Sequence, residues 1–177
     1  MDKLINDIEK IDLTGEDLVK ICNGKVEVVA YHTLKKYNSI EDLLSKHGAV
    51  ILLYETKENF GHYTALHYDN NNNLEFFDSY GIQPDGELKY AEYNLEEGVP
   101  YLTRLLKKYN KPINYNKVRL QKFVKDINTC GRWTSCRIRM NSIPLTEFQQ
   151  LFTSKGQHYN GDWFVSALTY LYTLTDK

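Results

Sequence analysis

Cysteine is scarce in this chain of 177 residues: there are three, at positions 22, 130 and 136, with no regular spacing. That set fits neither a disulfide framework nor a zinc site, and it suits a reducing compartment in which a thiol stays free. Long apolar runs are lacking; none approaches the roughly 20 residues of a membrane span, so no membrane association is expected. The first residues, Met1-Asp2-Lys3-Leu4-Ile5-Asn6-Asp7, have no signal-peptide core, and secretion is not expected. An excess of one charge is missing too: a net charge of -1 argues against a dedicated nucleic-acid binder or membrane-surface protein. Neither an internal repeat nor a linker is visible, so one domain over 1–177 is the economical expectation, and the length allows a sizeable core. What the chain has in quantity is tyrosine, 14 residues, which suits a sheet-containing fold with a polar-rimmed surface.

In chain order, residues 1–24 read as two short helices, with Thr14-Gly15-Glu16-Asp17 as a capping box before Leu18, Val19 and Ile21. Cys22, at the end of the second, reads as packing. Lys25 to Tyr31 reads as a strand after the turn Asn23-Gly24. Ser39-Ile40-Glu41-Asp42 caps a helix through Leu43, Leu44 and His47 that Gly48 stops. Ala49 to Tyr54 is a continuous apolar run, as in a central strand buried on both faces. His62 to Asp69 and Leu74 to Asp78 read as a hairpin around the asparagines at 70–73. Residues 79–94 read as loop. Val99 to Tyr109 reads as an amphipathic helix, Tyr115 to Gln121 as a strand, and Pro144 to Phe152 as a helix. Asp162 to Leu174, apolar nearly all round, reads as a buried C-terminal helix. The sum is an α+β fold, a central mixed or antiparallel sheet of about five strands flanked by helices.

Chemistry is expected at Asn128 to Met140. A polar loop ends at Thr129, and Cys130 opens a buried helix to which Trp133, Cys136, Ile138 and Met140 give apolar surface. A thiol at a helix start meets unpaired N–H groups and the positive dipole end, both of which favour thiolate. Gly131 lacks a Cβ, so a substrate chain can approach. Cys136, six residues on, falls about 240° round the helix and reads as core. Trp133, at i+3, shares a side with Cys130 and could wall the site, though core packing is its plainer use.

Two upstream residues can serve this thiol. If the hairpin turn centres near Asn70, residues whose numbers sum to about 140 face each other, as His62 and Asp78 do. Their even separation puts them on one face, with Cβ atoms on the order of 5 Å apart. A carboxylate there would fix the imidazole tautomer and stabilise the imidazolium. His32, His47, His67 and His158 read as half-buried packing residues. Gln121, nine residues before Cys130, offers a side-chain amide to an oxyanion beside the Cys130 N–H.

Gly61-His62-Tyr63, Phe77-Asp78-Ser79, Gln121 and Cys130-Gly131-Arg132-Trp133 together resemble the adenovirus-protease and Ulp/SUMO-protease superfamily of cysteine peptidases. The resemblance covers about residues 49–140. It implies a catalytic His62, an acid Asp78, an oxyanion-hole Gln121 and a nucleophilic Cys130, with Gly61, Tyr63, Gly131 and Trp133 beside the substrate. It also implies a papain-like core in circularly altered order. Within the superfamily the chain looks most like the capsid-maturation proteases of virophages, Polinton-type elements and large DNA viruses. Tyr63 stands where the family usually has Trp, and the family's Gln-to-Cys gap is shorter, which makes Asn128 the alternative donor. The resemblance implies a monomer acting on viral capsid or structural precursors in the virion and host-cell cytoplasm, with no required cofactor.

The adenovirus enzyme uses DNA and a viral peptide as activators. The corresponding expectation here falls on the basic segment Lys117, Arg119, Lys122, Lys125, Arg132, Arg137 and Arg139, which would give a weak DNA association; the plainer use of such a segment is a solvated face. Rival readings are a deubiquitinase or SUMO-type isopeptidase, a YopJ-type acetyltransferase with the same His, acid, Cys order, and a non-catalytic virion protein. Papain-like and transglutaminase folds fit poorly because their Cys precedes their His.

Overall fold

The structure, a computed structural model, describes residues 1–89, 99–153 and 160–175. Two short helices, α1 (Asp2–Ile8) and α2 (Gly15–Ile21), lead into strand β1 (Glu27–Ala30). The expected box opens α2: the Thr14 hydroxyl accepts from the Asp17 N–H while the Asp17 carboxylate accepts from the Thr14 N–H. The strand read as far as Tyr31 stops at Ala30. Tyr31–Lys36 instead winds into a 3₁₀ helix, where Tyr31 stacks on Tyr54 with ring centroids 4.6 Å apart. Helix α3 (Ile40–Leu43) is shorter than expected. Gly48, at φ 68°, ends the turn that follows it, where L-residues with a Cβ are strained.

Five strands form one mixed sheet in chain order. β1 runs parallel to β2 (Ala49–Lys57); β2, β3 (Phe60–Tyr68) and β4 (Leu74–Phe77) are successively antiparallel; β5 (Ile113–Tyr115) is parallel to β4. Alternation along β2, β3 and β4 divides two apolar cores. Val50, Leu52, Tyr54, Leu66, Leu74 and Phe76 face the 3₁₀ helix, α3 and α4 (Tyr101–Lys108). Ile51, Leu53, Tyr63, Ala65 and Phe77 face α2, α5 (Cys130–Arg139), α6 (Leu145–Thr153) and α7 (Gly161–Thr175). A sheet covered on both sides accounts for the unbroken apolar run in β2.

Several expectations need correction. The strand read over Tyr115 to Gln121 ends at Tyr115, because Asn116 breaks the ladder: its amide donates to the Asp78 and Val118 carbonyls and its oxygen accepts from the Val118 N–H. Helix α7 is only half buried: Phe164, Tyr170 and Leu174 are exposed while Val165, Ser166 and Thr169 are buried. His47 is exposed and so is not a packing residue, His32 is partly buried beside Glu55 as expected, and His67 is fully buried. Residues 90–94 of the expected loop, and His158, lie outside the described residues.

Candidate active site

His62 is carried by β3 and Asp78 by the residue just past β4. The hairpin pairs Ala65 with Phe77 and Leu66 with Phe76, so facing residues sum to 142 rather than 140. A shift of two residues keeps the face. By that register His62 lies opposite Tyr80, and the two rings stack with centroids 4.9 Å apart. Asp78 is its diagonal neighbour. The ring still reaches it, with His62 Nε2 3.2 Å from Asp78 Oδ2.

Asp78 is fully buried, and its other oxygen accepts from the Tyr80 N–H at 2.6 Å. That bond and the Asn116 amide on the Asp78 carbonyl fix the acid as the chain leaves the ladder. Cys130 is the first residue of α5 and, unlike Cys22 and Cys136, is not buried. The thiol lines the same cavity as the His62 ring and, with Asp78, bears on the charge of that ring. With Nε2 committed to the carboxylate, Nδ1 is the nitrogen left for sulfur. Burial works against the charged ring, but Asp78 and the neighbouring Cys130 outweigh it and hold its pKa well above the ordinary histidine value. Burial pushes the Cys22 thiol up to about 11, and it raises Cys136 as well, so these two sulfurs are inert at neutral pH.

The start of α5 is built without a side-chain cap. Thr129, which precedes Cys130, gives its hydroxyl to Asp162 Oδ1 at 2.5 Å instead. The same oxygen takes the Trp133 indole N–H at 2.8 Å, and Asp162 Oδ2 takes the Lys122 N–H at 3.0 Å. One carboxylate on α7 thereby pins α5 and the loop before it, and the first-turn N–H groups of α5 are left without a capping side chain.

A cavity of about 390 Å³ opens over this point, lined by Gly61, His62, Tyr80, Glu87, Gln121 and Cys130 among others. Gln121 is buried, and its carbonyl accepts from the Ser79 hydroxyl at 2.7 Å. Its NH₂ is therefore the end with donors to offer. Asn128 also lines the cavity, but its amide already donates to the Lys10 carbonyl at 3.1 Å, so Gln121 is the better placed donor. Gly61 borders the cavity, but its missing Cβ is required by the backbone of Tyr54 and Glu55, against which it packs at the β2–β3 irregularity.

Three expected substrate contacts are placed elsewhere. Tyr63 is buried on the opposite face of β3 from His62. Gly131 is buried, and a Cβ there would come within 2.9 Å of Leu18, so packing against α2 demands the glycine. Trp133 is fully buried with Phe148 and Phe152 around it. The basic segment also divides. Arg132 and Arg137 are buried, and Arg139 donates to the Ile21 carbonyl with its guanidinium 3.8 Å from the Tyr172 ring centroid. Lys117, Arg119, Lys122 and Lys125 remain exposed.

Sequence reasoning missed Glu87. It is buried in a 3₁₀ turn (Gly86–Lys89), with Oε1 3.9 Å from His62 Nε2. His62, Asp78 and Glu87 are the one set among the described residues whose donor atoms, all within 4.8 Å of one another, could surround a cation. Nothing in the local pattern of a Gly- and Pro-punctuated loop reports that burial. Tyr80 could have been found by carrying the hairpin register two residues past Asp78.

No known family model matches the chain. Of the curated proteins, the uncharacterized protein V9 of the Sputnik virophage is 38% identical over 155 residues, covering 85% of this chain and 89% of that protein. Among solved structures, the central domain of the uncharacterized Lpg1148 protein from Legionella pneumophila aligns over 91% of this chain and 97% of that one, at 15% identity and a TM-score of 0.42. Among the described residues, no helix is long and apolar enough to cross a membrane.

Proposed function

The chain belongs to the viral family of the Sputnik virophage protein V9, and from that premise we propose that it is a cysteine endopeptidase of the adenovirus-protease type, acting on capsid or other structural precursors during virion maturation. One observation carries the reading: the His62 ring is paired with the buried Asp78 and shares the lining of one cavity with the Cys130 thiol, which bears on its charge. Nucleophile, base and orienting acid are the three parts that thiol catalysis requires.

In this mechanism Cys130 gives its proton to His62, and the thiolate attacks the peptide carbonyl carbon. The carbonyl π pair moves to oxygen, where the Cys130 N–H and the Gln121 amide receive it. Collapse breaks the C–N bond, and His62 hands its proton to the departing amine, leaving a thioester. His62 then takes a proton from water as that oxygen attacks the thioester. The second collapse expels the Cys130 thiolate, and the carboxylic product leaves. Asp78 keeps the ring in one tautomer and orientation throughout. A DNA activator would draw on Lys117, Arg119, Lys122 and Lys125.

Co-expression with candidate capsid precursors, followed by mass spectrometry of chain termini, tests the proposal. New termini are expected with the wild type and none with Cys130→Ala. Identical termini with both would refute it. Release of ubiquitin or SUMO, or acetyl transfer from acetyl-CoA, would change the substrate while keeping the same residues.

A further inference from the structure

The peptidase mechanism gives Glu87 no task, yet its position is closely determined. It is 6% exposed, and its Oε1 has no hydrogen-bond partner among the described residues. One of its carboxyl oxygens lies within 4.8 Å of an Asp78 oxygen. The turn cannot easily back away, because the preceding residue, Asp85, is tied down: its carboxylate accepts from the Tyr31 hydroxyl at 2.6 Å and the Thr103 N–H at 2.7 Å.

Two carboxyl groups this close and this buried do not both ionise. Asp78 takes hydrogen bonds from the Tyr80 N–H and the His62 ring, so it is the member suited to the charge. Glu87 has an oxygen lacking any donor, and a proton on its carboxyl turns it from acceptor into donor. We propose that Glu87 is a positioning residue that stays protonated and donates a hydrogen bond to Asp78, so that His62 is held beside one negative charge rather than two.

The inference rests on the peptidase reading of this site. A second ionised carboxylate would hold the imidazolium too firmly for it to release its proton to a leaving amine, whereas a neutral donor braces Asp78 without adding charge. The groups around Glu87 are His62 on β3, Asp78 and Tyr80 after β4, Lys89 on its own turn, and Arg119 and Cys130 round the cavity. Burial raises the Glu87 pKa; His62 opposes this and Asp78 adds to it.

The test needs no substrate, so it is separable from the search for one. Alkylation of Cys130 by iodoacetamide, read by mass spectrometry, and the NMR titration of the His62 ring are followed against pH in the wild type, Glu87→Gln and Glu87→Ala. A glutamine amide donates as a protonated acid does. Glu87→Gln is therefore expected to keep the His62 midpoint within about 0.3 pH unit and the alkylation rate within about threefold, while Glu87→Ala slows alkylation at least about tenfold at neutral pH. A His62 midpoint about one unit lower in Glu87→Gln would reveal the loss of a negative charge and overturn the proposal. Glutamine as slow as alanine would also overturn it. Should the alanine variant fail to fold, the glutamine variant decides alone. If Glu87→Gln behaves as expected but no precursor is cut, the peptidase reading fails and the carboxyl pair stands.

Discussion

His67 and His62 lie on the same strand, each beside a carboxylate from the returning chain, and their surroundings differ in one decisive way. His67 points to the α5 face, with Nε2 3.3 Å from Glu75 Oε1. There Arg137 grips Glu75 through two hydrogen bonds of 2.6 and 2.8 Å and donates further to the Met140 and Ile143 carbonyls. All three side chains are at most 1% exposed. His62 lies at the open end of the strand, where a thiol and a cavity take the place of the arginine. The same pair of side-chain types is thus a sealed brace in one setting and an accessible pair beside a thiol in the other. A histidine beside an acid is a weak sign of catalysis; the third group and the access decide.

Variants at the two sites should separate by what they lose. Cys130→Ala should cut turnover at least about 1,000-fold while the melting temperature stays nearly that of the wild type; retained cleavage would place the nucleophile elsewhere. His62→Ala should cost nearly as much and Asp78→Asn less, both read as kcat/KM. Arg137→Met should do the reverse, costing about 3–5 kcal/mol of stability by leaving Glu75 buried without its main cation. It should leave the cleavage rate of the folded fraction intact, and a denaturant melt beside an active-site titration would show both. Gln121→Ala should lower kcat about 100-fold, whereas Asn128→Ala, whose amide already serves Lys10, should stay within about threefold of wild type.

The smallest effect expected is that of acid. Burial opposes ionisation of Glu75, but Arg137 and His67 overcome it and hold the carboxyl down at about 2. A depressed carboxyl contributes stability that is present above its unfolded pKa of about 4.5 and lost as pH falls towards about 2. The gap in melting temperature between wild type and Arg137→Met should therefore narrow across that window. A gap independent of pH would mean that Glu75 does not titrate with the pair.

The parts legible in the sequence were those that periodicity and hydrogen-bonding chemistry govern. Thr14, Gly48, the run from Ala49 and the amphipathic stretch at Leu102–Leu106 each announce their element. The hairpin register was read two residues off, which kept His62 and Asp78 on one face because side chains alternate with a period of two. Applied at its observed value, the same register would have found His67 opposite Glu75. A segment that a single asparagine takes out of the sheet was not legible. Residues 116–121 alternate like a strand, yet Asn116 takes the chain out of the ladder. The resemblance puts Tyr63, Gly131 and Trp133 beside the substrate, Gly131 also for its missing Cβ, whereas tertiary packing sends all three into the core, the plainer use of Trp133.

A ribosome delivers the chain from its N-terminus, so His62, Asp78 and Cys130 all emerge before Asp162. Until α7 arrives, the Thr129 hydroxyl and the Trp133 indole lack their acceptor, and the start of the helix that presents the sulfur is held from the α1 side, through Asn128 and Arg132. A half-made polypeptide thus carries His62, Asp78 and Cys130 before the carboxylate that fixes the helix start, and the proposed peptidase activity would wait for the last helix to dock.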